Sequence, residues 1–202
     1  MTTIVLSCST HLGLWAFITN PKLVVGVENM PLQSVLKPIL GDIMIDLGGT
    51  VAVKTTQKTP SVLSSLSEEK VAPVICYESI YGEYIGQYVK KGAQFLGVLT
   101  NDAWWGDTQG YKQLLSYTQL RAIETRKSIA RSANTGISAF INQRGEVTSS
   151  LGYEKRGFLR ATLLANDKVT TYVRYGDYIA RLCAFVGIGI FLVSFLRKRS
   201  EV

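Results

Sequence analysis

The stretch VAPVICYESIYGEYIGQYVKKGAQFLGVLTNDAWWG, residues 71–106, decides how this chain folds. It opens on a continuous apolar run, Val71 to Ile75, with the length of a buried strand. From Glu78 to Lys91 the period changes. Ile80, Tyr84, Ile85, Tyr88 and Val89 fall on one face of a helix, and Gly92 stops it. Phe95 to Thr100 is a second buried strand, and Asn101 to Gly110 reads as a loop carrying Trp104 and Trp105. Strand, helix and strand at this spacing imply α/β layering.

Downstream the pattern continues. Tyr111 to Arg126 reads as a second helix, Ile129 to Ala133 and Ile137 to Asn142 as strands, and Gln143-Arg144-Gly145-Glu146 as a turn into a further strand. Upstream it is weaker. Leu23 to Val27 is a short strand-like run ended by Met30-Pro31, and Leu32 to Leu40 reads as a short helix with Pro38 in its later part. Asp46 to Gly49 is a turn, Val51 to Val53 a strand, and Thr55 to Glu69 an exposed loop. Residues 1–20 are apolar but broken by Ser7, Ser9, Thr10 and His11. They lack the flanks of a signal peptide and are too short and polar for a good span. A buried strand, or a mis-started gene, is the expectation there.

The tail differs. Leu182 to Leu196 carries no charge, and Tyr178-Ile179-Ala180-Arg181 extends it. Nineteen helical residues reach about 28 Å, close to a bilayer core of roughly 30 Å. Tyr172, Tyr175 and Tyr178 crowd one end as an aromatic belt would, with Arg181 able to snorkel. Arg197, Lys198 and Arg199 close the other end, which the positive-inside rule places in the cytoplasm. A transmembrane helix over 176–197 with a basic tail at 198–202 is expected. The competing reading is a buried core helix.

Composition narrows the chemistry. Of 202 residues, 47% are apolar and only 18% charged, and mean hydropathy is +0.15, which suits a globular domain with a membrane segment. Net charge is 22 − 15 = +7, but the excess is scattered, so nucleic acid is not an expected partner. Three cysteines make no disulfide framework. With a single histidine, His11, and no CxxC spacing, neither a metal site nor any cofactor is expected, and a histidine-based triad would depend on His11 alone.

Cys76 is the candidate nucleophile. It sits where a buried strand meets a helix start, so free backbone N–H groups and the helix dipole face its sulfur. Both favour the thiolate, and the same N–H groups suit an oxyanion. Cys8 and Cys183 lie in apolar runs and read as packing residues. Glu28, Glu78, Asn101-Asp102, Arg121, Glu124, Arg131 and Asn134-Thr135-Gly136 lie near the ends of strands, where sites form in doubly wound sheets. Singly, each reads as a cap, a turn or a surface pair.

Val74-Ile75-Cys76-Tyr77-Glu78, Asn101-Asp102-Ala103-Trp104-Trp105-Gly106, Arg121-Ala122-Ile123-Glu124 and Arg131-Ser132-Ala133-Asn134-Thr135-Gly136-Ile137-Ser138 occur in this order. Together they resemble the C-terminal half of bacterial apolipoprotein N-acyltransferases, of the nitrilase superfamily. The resemblance covers about residues 21–200. It implies a partial nitrilase-like αββα sandwich at 21–175, lying outside the membrane and closed by the terminal helix. It also implies acyl transfer in two steps, with Cys76 taking an acyl chain from a phospholipid as a thioester. The amine of a lipoprotein's diacylglyceryl-cysteine then accepts the chain. Glu28, Glu78, Tyr77, Asn101, Trp104 and Trp105 become supporting or substrate-binding residues, with the tryptophans as an interfacial lid. The implied place is the bacterial inner membrane, with the main domain on its outer face.

The family's triad is Cys, Lys and Glu. Its Tyr-x-Lys-x-x-Leu-Val pattern meets Leu23-Val24 and Glu28 here, but Ile18 and Asn20 stand at the tyrosine and lysine positions. Lys22 is two residues away, about 6.6 Å along a strand. The triad glutamate and the upstream membrane helices have no counterpart in the 75 residues before Cys76. A truncated, low-activity chain is therefore expected. Two other readings stand beside it: a nitrilase-type amidase, and a membrane-tethered remnant without catalysis.

Overall fold

A computed structural model describes residues 2–7, 59–65 and 68–200. The expectations for Leu23–Val27, Leu32–Leu40, Val51–Val53, Lys22 and Glu28 lie outside the described residues.

A six-stranded mixed sheet organises the domain. Its strands are β2 (Leu63–Ser64), β3 (Lys70–Ile75), β4 (Phe95–Thr100), β5 (Ser128–Ala133), β6 (Ser138–Ile141) and β7 (Val147–Leu151), side by side in that order. β3, β4 and β5 are parallel, and the remaining pairings are antiparallel. The apolar runs of the parallel core are buried against the helices at Ala72, Val74, Leu96, Val98 and Ile129 and on the opposite face at Phe95 and Ala130, while Leu99 of β4 is left 55% exposed. Two helices make the crossovers, α1 (Gly82–Lys90) between β3 and β4 and α2 (Gln109–Thr125) between β4 and β5.

Alternation along the strands divides the core. Ala72, Val74, Leu96, Val98, Ile129, Ala139 and Ile141 meet Tyr84, Ile85, Tyr88 and Ala122 from the helices. On the other face Phe95, Ala130 and Phe140 meet Leu159, Ala161 and Leu163. Those three belong to β8 (Phe158–Leu163), which forms a separate antiparallel ribbon with β1 (Thr2–Ser7) in the register Thr2↔Leu163 to Ser7↔Phe158. Helices, sheet and ribbon make a nitrilase-like α/β layering. Each fully buried aliphatic side chain contributes roughly 1.5–3 kcal/mol.

Several sequence expectations need correction. The helix from Glu78 to Lys91 is two elements: a 3-10 turn over Cys76–Ile80, then α1. Tyr81, extended at φ −91° and ψ 92°, breaks the run between them. The Thr55–Glu69 loop contains β2, which pairs with Val71 and Lys70, and Pro60 is buried. The Asn101–Gly110 loop holds a 3-10 turn, Asp102–Trp105, and the first two residues of α2. β8 was not anticipated.

The short helix α3 (Thr171–Tyr175) leads into α4 (Tyr178–Ser200). The Tyr178–Phe195 window of α4 has mean hydropathy 2.0 and no part of it is buried, so the buried-core reading of this helix is overturned. Phe185 is 74% exposed. Arg181 does not point freely along the helix: it pairs with Glu83 of α1 and reaches the Tyr175 carbonyl at 3.4 Å. Glu83 Oε1 also accepts the Asp177 N–H at 3.0 Å, which ties the foot of α4 to α1.

Candidate active site

β3 and β4 end together. The parallel register sets Ile75 beside Leu99 and Leu99 beside Ser132, so the chain leaves the sheet at Cys76, Asn101 and Asn134 along one edge. The carboxyl ends of parallel strands are where α/β sheets place their sites.

Cys76 occupies this edge with a backbone φ of 46°, a left-handed conformation rare outside glycine. Such strain persists only where the surroundings hold it. Two contacts hold it here: Ser79 Oγ donates to the Cys76 carbonyl at 2.9 Å, and the Glu78 carboxylate accepts the Ile75 N–H at 2.8 Å. The sulfur side chain is half-buried and lies 3.3 Å from Thr100 Oγ1. Cys183 is on the exposed face of α4.

Glu78 is fully buried. Besides Ile75 its Oε2 accepts from the Tyr88 hydroxyl at 3.4 Å, and Oε1 has no partner among the described residues. Burial pushes its carboxyl up to about 7, and the Ile75 N–H and Tyr88 hydroxyl oppose the rise. Burial thus favours the protonated, uncharged form of this carboxyl. Burial also lifts the Tyr84 hydroxyl, to about 12.

A polar frame backs the sulfur. Thr100 Oγ1 donates to Asp102 Oδ1 at 2.6 Å, and Asp102 Oδ2 accepts from Arg131 Nη2 at 2.7 Å. Arg131 also donates from Nη1 to Thr118 Oγ1 at 3.1 Å and from Nε to the Ile137 carbonyl at 3.2 Å. Both charges are fully buried. Burial pulls the Arg131 guanidinium below its ordinary value, opposed by Asp102, and arginine stays charged. Gly136 has a steric reason: a Cβ there would overlap the Asp102 carboxylate.

The sequence-derived candidates are not all gathered at the sulfur. Asn101 caps the 3-10 turn, its Oδ1 accepting the Ala103 N–H at 3.2 Å. Trp104 and Trp105 end that turn, and Trp105 is 41% exposed against Gly110. Tyr77 packs edge-on to Tyr81, ring centroids 5.8 Å apart. Asn134 donates its N–H to the Thr100 carbonyl at 3.3 Å. Arg121 and Glu124 serve a different place. They pair with each other at 3.2 Å, and Gly82, which could hold no Cβ beside them, brings them to Tyr172 near the foot of α4. Thr100 was missed as a site residue; its position as the last residue of a buried strand was the available signal. Among the described residues no cluster of His, Cys, Asp and Glu is arranged to hold a metal ion.

Residues 17–169 match the carbon-nitrogen hydrolase family, and the chain belongs to that family. Within it the chain is similar to curated apolipoprotein N-acyltransferases. That of Wigglesworthia glossinidia brevipalpis is 34% identical over 85% of this chain and 33% of its own length. That of Shewanella oneidensis is 30% identical over 86% of this chain and 32% of its own. The chain thus spans about a third of the length of these relatives. Among solved structures an amidase from Nesterenkonia sp. AN1 is similar, at 23% identity and a TM-score of 0.47, over 64% of this chain and 51% of that one.

Proposed function

We propose that this chain carries the nucleophile-bearing part of a lipoprotein N-acyltransferase, with Cys76 as the acyl carrier. The observation that supports the reading is one sulfur, on a left-handed residue at the carboxyl edge of parallel strands, in a domain that also carries a bare apolar helix. A soluble amidase has no use for that helix. In the first step the Cys76 thiolate attacks the ester carbonyl of a phospholipid, and a C–S bond replaces the ester C–O bond. The leaving lysophospholipid oxygen takes a proton. In the second step the amine of a diacylglyceryl-cysteine attacks the thioester, loses a proton, and releases the thiolate as the amide forms.

Backbone N–H groups of the 3-10 turn suit the oxyanion of each step. Glu28, Glu78, Tyr77, Asn101, Trp104 and Trp105 are proposed to support or bind substrate. α4 holds the domain to the bilayer from which both lipid substrates come, with Arg197 to Arg199 in the cytoplasm and the domain on the outer face of the inner membrane. Asn20 stands where the resemblance calls for lysine, so within these residues the nucleophile lacks that proton acceptor. Little or no turnover is expected from this chain by itself, and a membrane-tethered remnant is the reading that then remains.

The test is mass spectrometry of the purified chain after long incubation in phospholipid micelles. The expected result is an acyl adduct on the Cys76 peptide, released by hydroxylamine and missing from Cys76→Ala, with almost no transfer to a diacylated lipopeptide. A Cys76 that iodoacetamide alkylates but phospholipid never acylates would overturn the acyl-carrier assignment.

A further inference from the structure

We infer that Thr100 is a positioning residue for the Cys76 sulfur, its hydroxyl aimed by the buried Asp102–Arg131 pair. The inference rests on the acyl-carrier reading of Cys76 and deepens it.

The placement comes from sheet register. Ile75 pairs with Leu99, so the residues that follow, Cys76 and Thr100, are brought side by side at the edge. Thr100 Oγ1 is 3.3 Å from the sulfur and 2.6 Å from Asp102 Oδ1. A hydroxyl has one proton and two lone pairs, so it cannot donate in both directions at once. Beside a neutral thiol the proton goes to the carboxylate, the better acceptor at the shorter distance, and a lone pair faces the S–H. Beside a thiolate the same proton swings to sulfur. Asp102 tolerates that swing because its other oxygen keeps the Arg131 guanidinium at 2.7 Å. The hydroxyl therefore satisfies the sulfur in both protonation states without a histidine.

The frame behind it is rigid. Arg131 is pinned by Thr118 and the Ile137 carbonyl, and Thr118 in turn donates to the Leu114 carbonyl at 2.8 Å. A buried ion pair of this kind is seldom worth much as stability. Its effect here is orientation: it leaves Thr100 a single acceptor besides the sulfur.

The test measures alkylation of Cys76 in the full chain, in micelles at pH 7, read on the Cys76 peptide so that Cys8 and Cys183 do not interfere. Iodoacetamide forms the C–S bond, iodide leaves, and the thiol proton goes to buffer. Thr100→Val keeps the shape and removes the hydroxyl, and it is expected to slow alkylation about tenfold, the effect of one hydrogen bond to a charged group. Thr100→Ser, which restores the hydroxyl, is expected to return the rate to within about threefold of the parent. If Thr100→Val does not fold, by melting temperature, Thr100→Ala replaces it.

An unchanged rate in the variant without the hydroxyl overturns the inference. So does equal slowing in Thr100→Ser, which would assign the effect to the methyl group. Acylation by phospholipid, followed in the parent chain in the same micelles, reports separately on the acyl-carrier reading. Failure of that reaction alone leaves the Thr100 result standing.

Discussion

Two regions of this molecule break the ordinary division of polar and apolar, in opposite directions. At the edge of the parallel strands, Asp102 and Arg131 bury full charges against one another. On α4, a largely apolar window of eighteen residues contains no buried residue. The first arrangement keeps a polar frame dry and still, where its hydrogen bonds are directional. The second is a helix long and apolar enough to cross a membrane, a contiguous apolar surface larger than a water-facing domain ordinarily shows. The charges are accounted for by the protein around them, and the bare helix is the part that the proposed membrane attachment would cover.

The comparison is broken most severely from inside. Arg131→Met leaves Asp102 buried and unpaired, and is expected to cost about 3–5 kcal/mol in denaturant unfolding. The double variant Asp102→Leu with Arg131→Met is expected to recover most of that loss. A double variant no more stable than the single one would mean that the pair contributes packing beyond its charges.

From outside, Val186→Asp puts a carboxylate in the middle of the bare helix, at about 3 kcal/mol against insertion. The parent chain is expected to remain with lipid vesicles after an alkaline carbonate wash, and the variant to be released. Equal retention of both would detach α4 from the bilayer.

Glu78 sharpens the contrast, since it is a buried carboxyl with no ion pair. Its folded value of about 7 lies above its ordinary 4.5, so the folded state holds a proton that the unfolded chain has released. Its burial costs nothing below about pH 4.5, and the cost grows as pH rises towards 7. Stability should therefore fall by about 2–3 kcal/mol across that window, and Glu78→Gln should flatten the profile. A variant with the parent's slope would assign the fall to other groups.

The smallest effect is expected where the two regions join. Glu83 and Arg181 are both exposed, so Glu83→Ala should change stability by less than about 1 kcal/mol. Limited proteolysis is the better measurement, because losing the carboxylate also frees the Asp177 N–H. Cleavage near Gly176 should accelerate while the rest of the domain stays protected.

Legibility in the sequence followed the range of the forces involved. Phe95–Thr100 was read at its observed limits, because a short apolar run bounded by polar residues is a local signal. Glu78 to Ile80, the end of a 3-10 turn, reads as the start of the helix, because Ile80, Tyr84 and Tyr88 keep helical spacing across a break that only Tyr81's extended backbone makes. β8 escaped because it pairs with β1, more than a hundred and fifty residues away along the chain. The motif residues were legible as a group, yet their division was not. Asp102 and Arg131 meet behind the sulfur, while Arg121 and Glu124 meet Tyr172 beside the helix foot.

By itself the sequence determined the alternation of strands and helices, the candidate nucleophile at a strand's end, and the apolar tail, since each is written in neighbouring residues. Only the tertiary structure decided which hydroxyl meets that sulfur and which charges are buried together. Those contacts depend on register between strands, and a shift of one residue would turn Thr100 to the opposite face of the sheet.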